Sequence, residues 1–269
     1  MSTKGTGKPA TARGRKGNRK KPVAPAKPTY LEALRHQWRK RSAITHLRRF
    51  ALAFVALVLL VPACLLLIYK IEAIRPVSTL MIRDAIVGPG ARREWVELDE
   101  MAPVIYQSVM MSEDGRFCSH WGVDWTELNK VIDDAIEGER TRGASTITMQ
   151  LVKNLFLWPD RSLIRKGLEV PYALMAELIL GKRRIMEIYL NVVELDRGVY
   201  GVGAASRHYF NRSATKLGSR HAALLAVTLP SPVSRNPGKP TRRLAALSGT
   251  IRKRARASGA YIKCIRDEG

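Results

Sequence analysis

Apolar side chains fall along this chain in three regimes. Residues 1–29 hold almost none that are large, being rich in Gly, Lys, Pro, Thr and Ala, a composition that predicts disorder. From Phe50 to Tyr69 the run FALAFVALVLLVPACLLLIY has twenty residues and no charge. Beyond Asp99 apolar positions recur three and four apart, the spacing of amphipathic helices. As a helix rising ~1.5 Å per residue, the middle run spans roughly 30 Å, the thickness of one bilayer core. Arg48 and Arg49 bound it on one side and Lys70 on the other. Pro62 inside it is tolerable in a membrane helix. A cleaved signal peptide is the competing reading, but the basic lead is long and the apolar run exceeds an ordinary signal core.

The pattern after the apolar run predicts a connector, residues 70–98, with short extended pieces and a Gly88-Pro89-Gly90 turn. The main domain, residues 99–240, follows. Pro103 to Met111 reads as a helix that delivers Glu113 from its C-terminal end. Trp125 to Glu137 reads as a second helix, opened by Asp124 as N-cap. Ser145 to Phe156 is a third, with Ser145 as its ordinary cap. A long helical region runs from Ser162 to about Leu195, and Pro171 and Gly181 predict a kink near Glu169. Val199 to Phe210 and Ser219 to Leu229 complete a mostly α fold, before a Pro-rich loop, 230–240. The basic tail, 241–269, is expected to be helical in part. Strand signal is slight.

Charge sharpens the membrane reading. Lys and Arg outnumber Asp and Glu by 46 to 23, and residues 1–49 hold 15 cations against one acid, Glu32. A basic arm can bind nucleic acid, but this one leads directly into the apolar run. The positive-inside rule then keeps residues 1–49 in the cytoplasm and translocates everything after Lys70. Cys64 lies in the apolar run. Cys118 and Cys264 are far apart in sequence and make no disulfide framework, so two unpaired thiols are expected.

Three pieces carry candidate chemistry: EDGRFCSHWGVD from Glu113, GASTITMQLVKN from Gly143, and RKGLE from Arg165. Glu113 follows Val109-Met110-Met111 and has Asp114, Phe117, His120 and Trp121 close behind. Apolar neighbours and a second acid push a carboxylate's pKa upward, towards general-base work. The plain alternative is a capping or ion-paired glutamate. Asp114 reads as structural, paired with a cation of the third piece, and His120 as a satisfied buried histidine. Ser145 and Thr146 at a helix start suit a phosphate, and Gln150, Lys153 and Asn154 share one helix face. Arg165 and Lys166 stand four and three residues before Glu169, either as a surface ion pair or as binders of a diphosphate. Glu177, Lys182, Arg183 and Arg184 read as a solvated helix face. No metal-ligand spacing of His, Cys or carboxylates occurs.

In this order and spacing the three pieces resemble the peptidoglycan glycosyltransferases, glycosyltransferase family 51, and among them the monofunctional, membrane-anchored branch. The likeness runs from about Val104 to Pro237 and continues through IMEIYLN from Ile185, GVYGV from Gly198, AASRHYF from Ala204 and AALLA from Ala222. The resemblance implies a mostly α, lysozyme-like domain behind a single N-terminal transmembrane helix. It implies polymerisation of lipid II into β-1,4 glycan with inversion and release of undecaprenyl diphosphate. Glu113 then matches the general base and Glu169 the second essential glutamate. Asp114, Phe117, His120, Ser145, Thr146, Gln150, Lys153, Asn154, Arg165 and Lys166 match substrate-lining or shape-setting positions. No cofactor is called for beyond a divalent cation, Mg2+ or Mn2+, beside the diphosphate. The implied partners are lipid II, the nascent glycan, the bilayer and other wall-synthesis or division proteins, and the implied place is the bacterial inner membrane with the catalytic domain in the periplasm. Met149 stands where the family usually has Gln, and Pro171 is unusual after the second glutamate.

Two other classes remain in play. A peptidoglycan-cleaving enzyme would also use two carboxylates, but with one of them protonated and without a cluster of cations. An inactive wall scaffold would have no use for both Glu113 and Glu169.

Overall fold

The computed structural model of the chain describes residues 30–139, 143–160 and 162–266. The disorder expected of residues 1–29 lies outside them. Residues 54–269 form one compact unit, and the described part of the preceding unit is the helical stretch from Tyr30 to Ala53.

The first helix, α1, runs from Tyr30 to Tyr69 and carries Pro62 without a break. Its stretch Ile44–Tyr69 is long and apolar enough to cross a bilayer and is almost entirely exposed. Exposed apolar area on that scale needs a non-aqueous neighbour. The last turns are different, because Pro62 and Leu66 are buried. The Tyr172 hydroxyl donates to the Val58 carbonyl at 2.8 Å. The Tyr69 ring lies parallel to that of Phe156, centroids 6.4 Å apart. The C-terminal end of the apolar helix is therefore part of the domain's packing.

The connector holds a helix that the sequence reading left out, α2, Thr79–Val87, capped by the Ser78 hydroxyl. A nine-residue helix is marginal by itself. Tertiary bonds secure this one: the Thr79 hydroxyl donates to the carbonyls of Leu157 (2.7 Å) and Asn154 (3.2 Å).

The remaining helices are α3 (Val104–Glu113), α4 (Trp125–Ile136), α5 (Ile147–Phe156), α6 (Leu163–Val192), α7 (Gly201–Phe210), α8 (Ser219–Thr228), α9 (Arg242–Arg256) and α10 (Lys263–Arg266). A small sheet accompanies them, ordered β1 (Arg92–Arg93), β3 (Val199–Tyr200), β2 (Glu194–Asp196), with β3 parallel to β1 and antiparallel to β2. Its strands have two or three residues, too few for an alternating pattern to register in sequence.

Two helix groups build the core. Helix α5 lies along α6, and α3 packs against both α8 and α9. Ile105, Val109 and Met110 of α3 meet Leu225 and Ala226 of α8 and Leu244 and Ile251 of α9 in one cluster. The same cluster takes in Ile262 and Ile265, so the Pro-rich loop 230–240 falls inside the compact unit.

The break in α6 is at Gly181 (φ 74°, ψ 164°), not near Glu169. Glycine tolerates that left-handed backbone where other residues resist it. Pro171 sits within regular helix, held on both sides by the buried Glu169, Tyr172 and Ala173. The face expected to be solvated is also partly interior. Arg184 is buried and donates to the carbonyls of Tyr69 (2.8 Å), the last residue of α1, and of Ile74 (2.6 Å) in the turn that follows, while Glu177 is buried beside Lys182. The Tyr69 carbonyl is at a helix end, where unpaired carbonyl groups ask for such donors.

Candidate active site

Glu113 ends α3, beside a cavity of about 310 Å3. Its walls are Met111 to Arg116 from the end of α3, Asp124 and Glu127 at the start of α4, Gly143 to Thr146 before α5, and Arg254 from α9. The carboxylate of Glu113 receives two hydrogen bonds, from Gln150 Nε2 (3.2 Å) and from the Ser112 hydroxyl (3.2 Å). Gln150 is oriented in turn, because the Tyr189 hydroxyl donates to its Oε1 at 2.9 Å. Among the described residues no cation bonds to Glu113. Burial raises its pKa above the ordinary carboxylate value, against the lowering pull of the Gln150 and Ser112 bonds and the Arg235 charge. A partly buried carboxylate at a cavity wall, with only neutral donors among the described residues, is poised to accept a proton.

Asp114 does not pair with the third piece. Its Oδ2 accepts the Ile147 backbone N–H (3.0 Å), and both its oxygens lie 3.0–3.1 Å from His120 Nε2. One side chain thus ties the loop after α3 to the first turn of α5, and the third piece's cations are left for other work. His120 is buried, as expected, although its Nδ1 has no hydrogen-bond partner among the described residues. Phe117 is fully buried with Lys182 Nζ 4.2 Å from its ring centroid, and Lys182 also donates to the His120 carbonyl (2.8 Å) and to Glu177 (2.7 Å). Thr148 adds a 2.6 Å bond to the same Glu177 oxygen. Asp114 lines the cavity, whereas His120, Phe117, Thr148, Glu177 and Lys182 fasten the loop without lining it.

The loop is pinned at Gly122 as well, at φ +72°, where an added Cβ would lie 2.8 Å from the Ala173 carbonyl oxygen. The Gly122 carbonyl accepts the Thr146 hydroxyl. Thr146, rather than Ser145, caps α5, through the Met149 N–H. The reason is that Ser145 is engaged by Lys166, whose Nζ donates to its hydroxyl at 2.6 Å.

The third piece forms a tight cluster. Arg165 and Lys166 both bond to Glu169, the lysine at 2.7 Å, and Glu169 is buried. Ser145 lines the cavity and touches Lys166, so it joins this cluster to the Glu113 side. Lys153, on the preceding helix, is half-buried and forms no ion pair among the described residues. Burial lowers its pKa, with the Glu169 charge opposing. Asn154 is buried, and its carbonyl is taken by Thr79. Met149 is in the core, so its place in the motif is a packing one.

Sequence reasoning missed Tyr189, Ser112, Glu177, Lys182 and Arg254, which reach the site from neighbouring or distant positions. It also expected free thiols where Cys118 and Cys264 form a disulfide, Cα atoms 5.5 Å apart across 146 residues of sequence. Docking of α10 against the turn Phe117–Ser119 brings them together, and linear separation gives no hint of it. Among the described residues no group of three His, Cys, Asp or Glu side chains gathers to hold a metal ion.

The family model described as Transglycosylase matches residues 82–256, which takes in the whole cavity. The chain belongs to the transglycosylase family. It is a glycosyltransferase, and its mostly helical domain is of the lysozyme-like kind. Relatives of high similarity include the biosynthetic peptidoglycan transglycosylases of Brucella suis, 53% identical over 229 residues, which is 85% of this chain and all of that protein. That of Rhizobium meliloti is 53% identical over 87% of this chain and 97% of its own. That of Agrobacterium fabrum is 52% identical over 82% and 97%. The transglycosylase match includes α9 and so the helix that carries Arg254.

Proposed function

We propose that this transglycosylase polymerises lipid II into β-1,4 glycan strands, with Glu113 as the base. The observation that carries the reading is the pairing of a half-buried carboxylate, bonded among the described residues only to neutral donors, with a cluster of cations one serine away. The 4-hydroxyl of the acceptor sugar attacks C1 of the lipid-linked chain, and its proton goes to Glu113. The bond from C1 to the diphosphate oxygen breaks, and its electron pair leaves with undecaprenyl diphosphate. Attack opposite the leaving group inverts C1. Arg165, Lys166, Lys153 and Ser145 receive the diphosphate charge, as fixed cations and hydroxyls do for phosphoryl oxygens. Glu169 positions the first two by clasping both. Gln150 orients Glu113, Thr146, Asp114 and His120 hold the loops together, and the buried Phe117 and Asn154 support those loops from the interior. Mg2+ or Mn2+ enters this reading only as a companion of the diphosphate, since the donor set here does not suit a resident ion.

A wall-cleaving enzyme fits less well, because its acid must carry a proton to the leaving oxygen and Glu169 is already bound to two cations. The apolar helix anchors the chain in the bacterial inner membrane, with its basic arm in the cytoplasm and the domain in the periplasm. Lipid II, the growing glycan and the bilayer are its partners, with other wall-synthesis proteins alongside. The test is incubation of the detergent-solubilised chain with labelled lipid II, followed by muramidase digestion. Polymer that muramidase degrades is expected, whereas release of fragments from intact sacculi without polymer would overturn the reading. Protease added to spheroplasts should digest the domain and spare the arm.

A further inference from the structure

We propose that Arg254 is a substrate-positioning residue that binds an anionic group of the acceptor, an inference that rests on the function proposed above. Helix α9 presents Leu244, Ser248, Ile251 and Ala255 to the interior. Arg254 flanks that stripe, is exposed, and lines the same cavity as Glu113. It makes no ion pair or side-chain hydrogen bond among the described residues.

The other charged walls of the cavity are already engaged. Asp114 is bound to His120, Arg116 lies 3.5 Å from Asp124, and Glu127 takes Lys130 at 2.8 Å. Glu113 takes only Gln150 and Ser112. Arg254 is therefore the guanidinium in this cavity whose charge is unanswered among the described residues. A planar guanidinium offers paired donors matched to a carboxylate or a phosphate.

Its place is firm at both ends. Upstream, α9 is packed on α3, the helix that ends in Glu113, and on α8. Downstream, the Cys118–Cys264 disulfide ties α10 to the turn four residues beyond Glu113, and Arg183 donates to the Ile265 carbonyl. The leaving diphosphate belongs to the Arg165, Lys166 and Lys153 cluster on α5 and α6. Arg254 comes from a separate element, α9, which packs on the helix that ends in the base. The anion it takes is the acceptor's own: its diphosphate or a carboxylate of its stem peptide.

The test is polymerisation kinetics of the full chain with lipid II for wild type, Arg254→Ala and Arg254→Lys, together with thermal unfolding of each. Arg254→Ala should raise KM for the acceptor about tenfold or more, the scale of one lost charge-assisted contact. The change in kcat should be smaller, Arg254→Lys should recover part of the loss, and melting should be unchanged. An acceptor without its stem peptide separates the two sources. A KM penalty that persists with it assigns the diphosphate, and one that vanishes assigns the peptide carboxylate. Equal KM for wild type and Arg254→Ala on both acceptors, with polymer forming, would overturn the role of Arg254 alone. No polymer from the wild type would overturn the proposed reaction and this role with it.

Discussion

At the scale of single residues, the site depends on which carboxylate is paired and which is left alone. Glu113 is solvated by two neutral donors, whereas Asp114 and Glu169 are each tied to cationic or polar partners. Glu113→Gln removes the proton acceptor and should lower kcat by about 100- to 10,000-fold, the usual worth of a general base. Because burial raises the folded-state pKa of Glu113, its contribution to stability is present at low pH and is lost as pH rises through that pKa. At neutral pH the buried charge is a cost, so Glu113→Gln should melt at the same temperature as the wild type or higher. A clear drop in melting temperature would mean that the carboxylate is structural. The same shift places the acid limb of the kcat/KM profile above pH 4.5, the unperturbed value, and the lowered pKa of Lys153 brings the alkaline limb below that of an ordinary lysine. Asp114→Ala is expected to act oppositely on stability. It strands the Ile147 N–H and the His120 ring in a buried setting and should cost about 1–3 kcal/mol in denaturant unfolding.

At the scale of elements, the catalytic loop is clamped from three directions. Gly122 meets α6, Asp114 meets the start of α5, and Cys118 is bonded to α10. The disulfide closes a span of 146 residues, and in the chain-entropy model a loop of that length contributes about 5 kcal/mol, with measured losses usually 2–5 kcal/mol. Cys264→Ser should therefore unfold at distinctly lower temperature. A reductant should destabilise the wild type and leave the variant unaffected; equal melting of all forms would count against a staple. On the proposed orientation the domain meets the oxidising conditions in which such a bond persists.

At the scale of the whole molecule, the apolar helix is long and apolar enough to cross a bilayer, and its C-terminal end is also a packing element. Val58, Leu66 and Tyr69 touch the domain through Tyr172, the core and Phe156. A chain beginning at Lys70 loses those contacts and its tether to the surface that holds the lipid-linked substrate. Confinement to one surface commonly raises effective affinity by about 100-fold or more. The truncated form should thus be at least that much slower on lipid II in vesicles, with a smaller gap in detergent; equal rates on vesicles would show that the anchor is dispensable. Exposed Leu163, Ile164 and Leu178 add apolar surface along α6.

Some of this was open to reading from the chain alone. Helical periodicity located α3, α4, α5, α7 and α8 within a few residues, and local caps marked the starts of two of them, Asp124 through the N–H groups of Thr126 and Glu127 and Thr146 through that of Met149. A charge-free run of twenty residues marked the membrane helix, and three short motifs marked Glu113, Ser145 and the Arg165–Glu169 cluster. What local pattern could not carry was partner choice between distant segments. Asp114 taking His120, Thr146 displacing Ser145 as cap, Glu177 and Lys182 turning inward, Cys118 meeting Cys264, and Arg254 reaching the cavity all follow from how helices dock. Docking is decided by packing and hydrogen-bond satisfaction across sequence separations that leave no periodic trace. Sequence determined the type and order of the elements and the residues with reactive chemistry; tertiary structure alone decided which of those residues face one another.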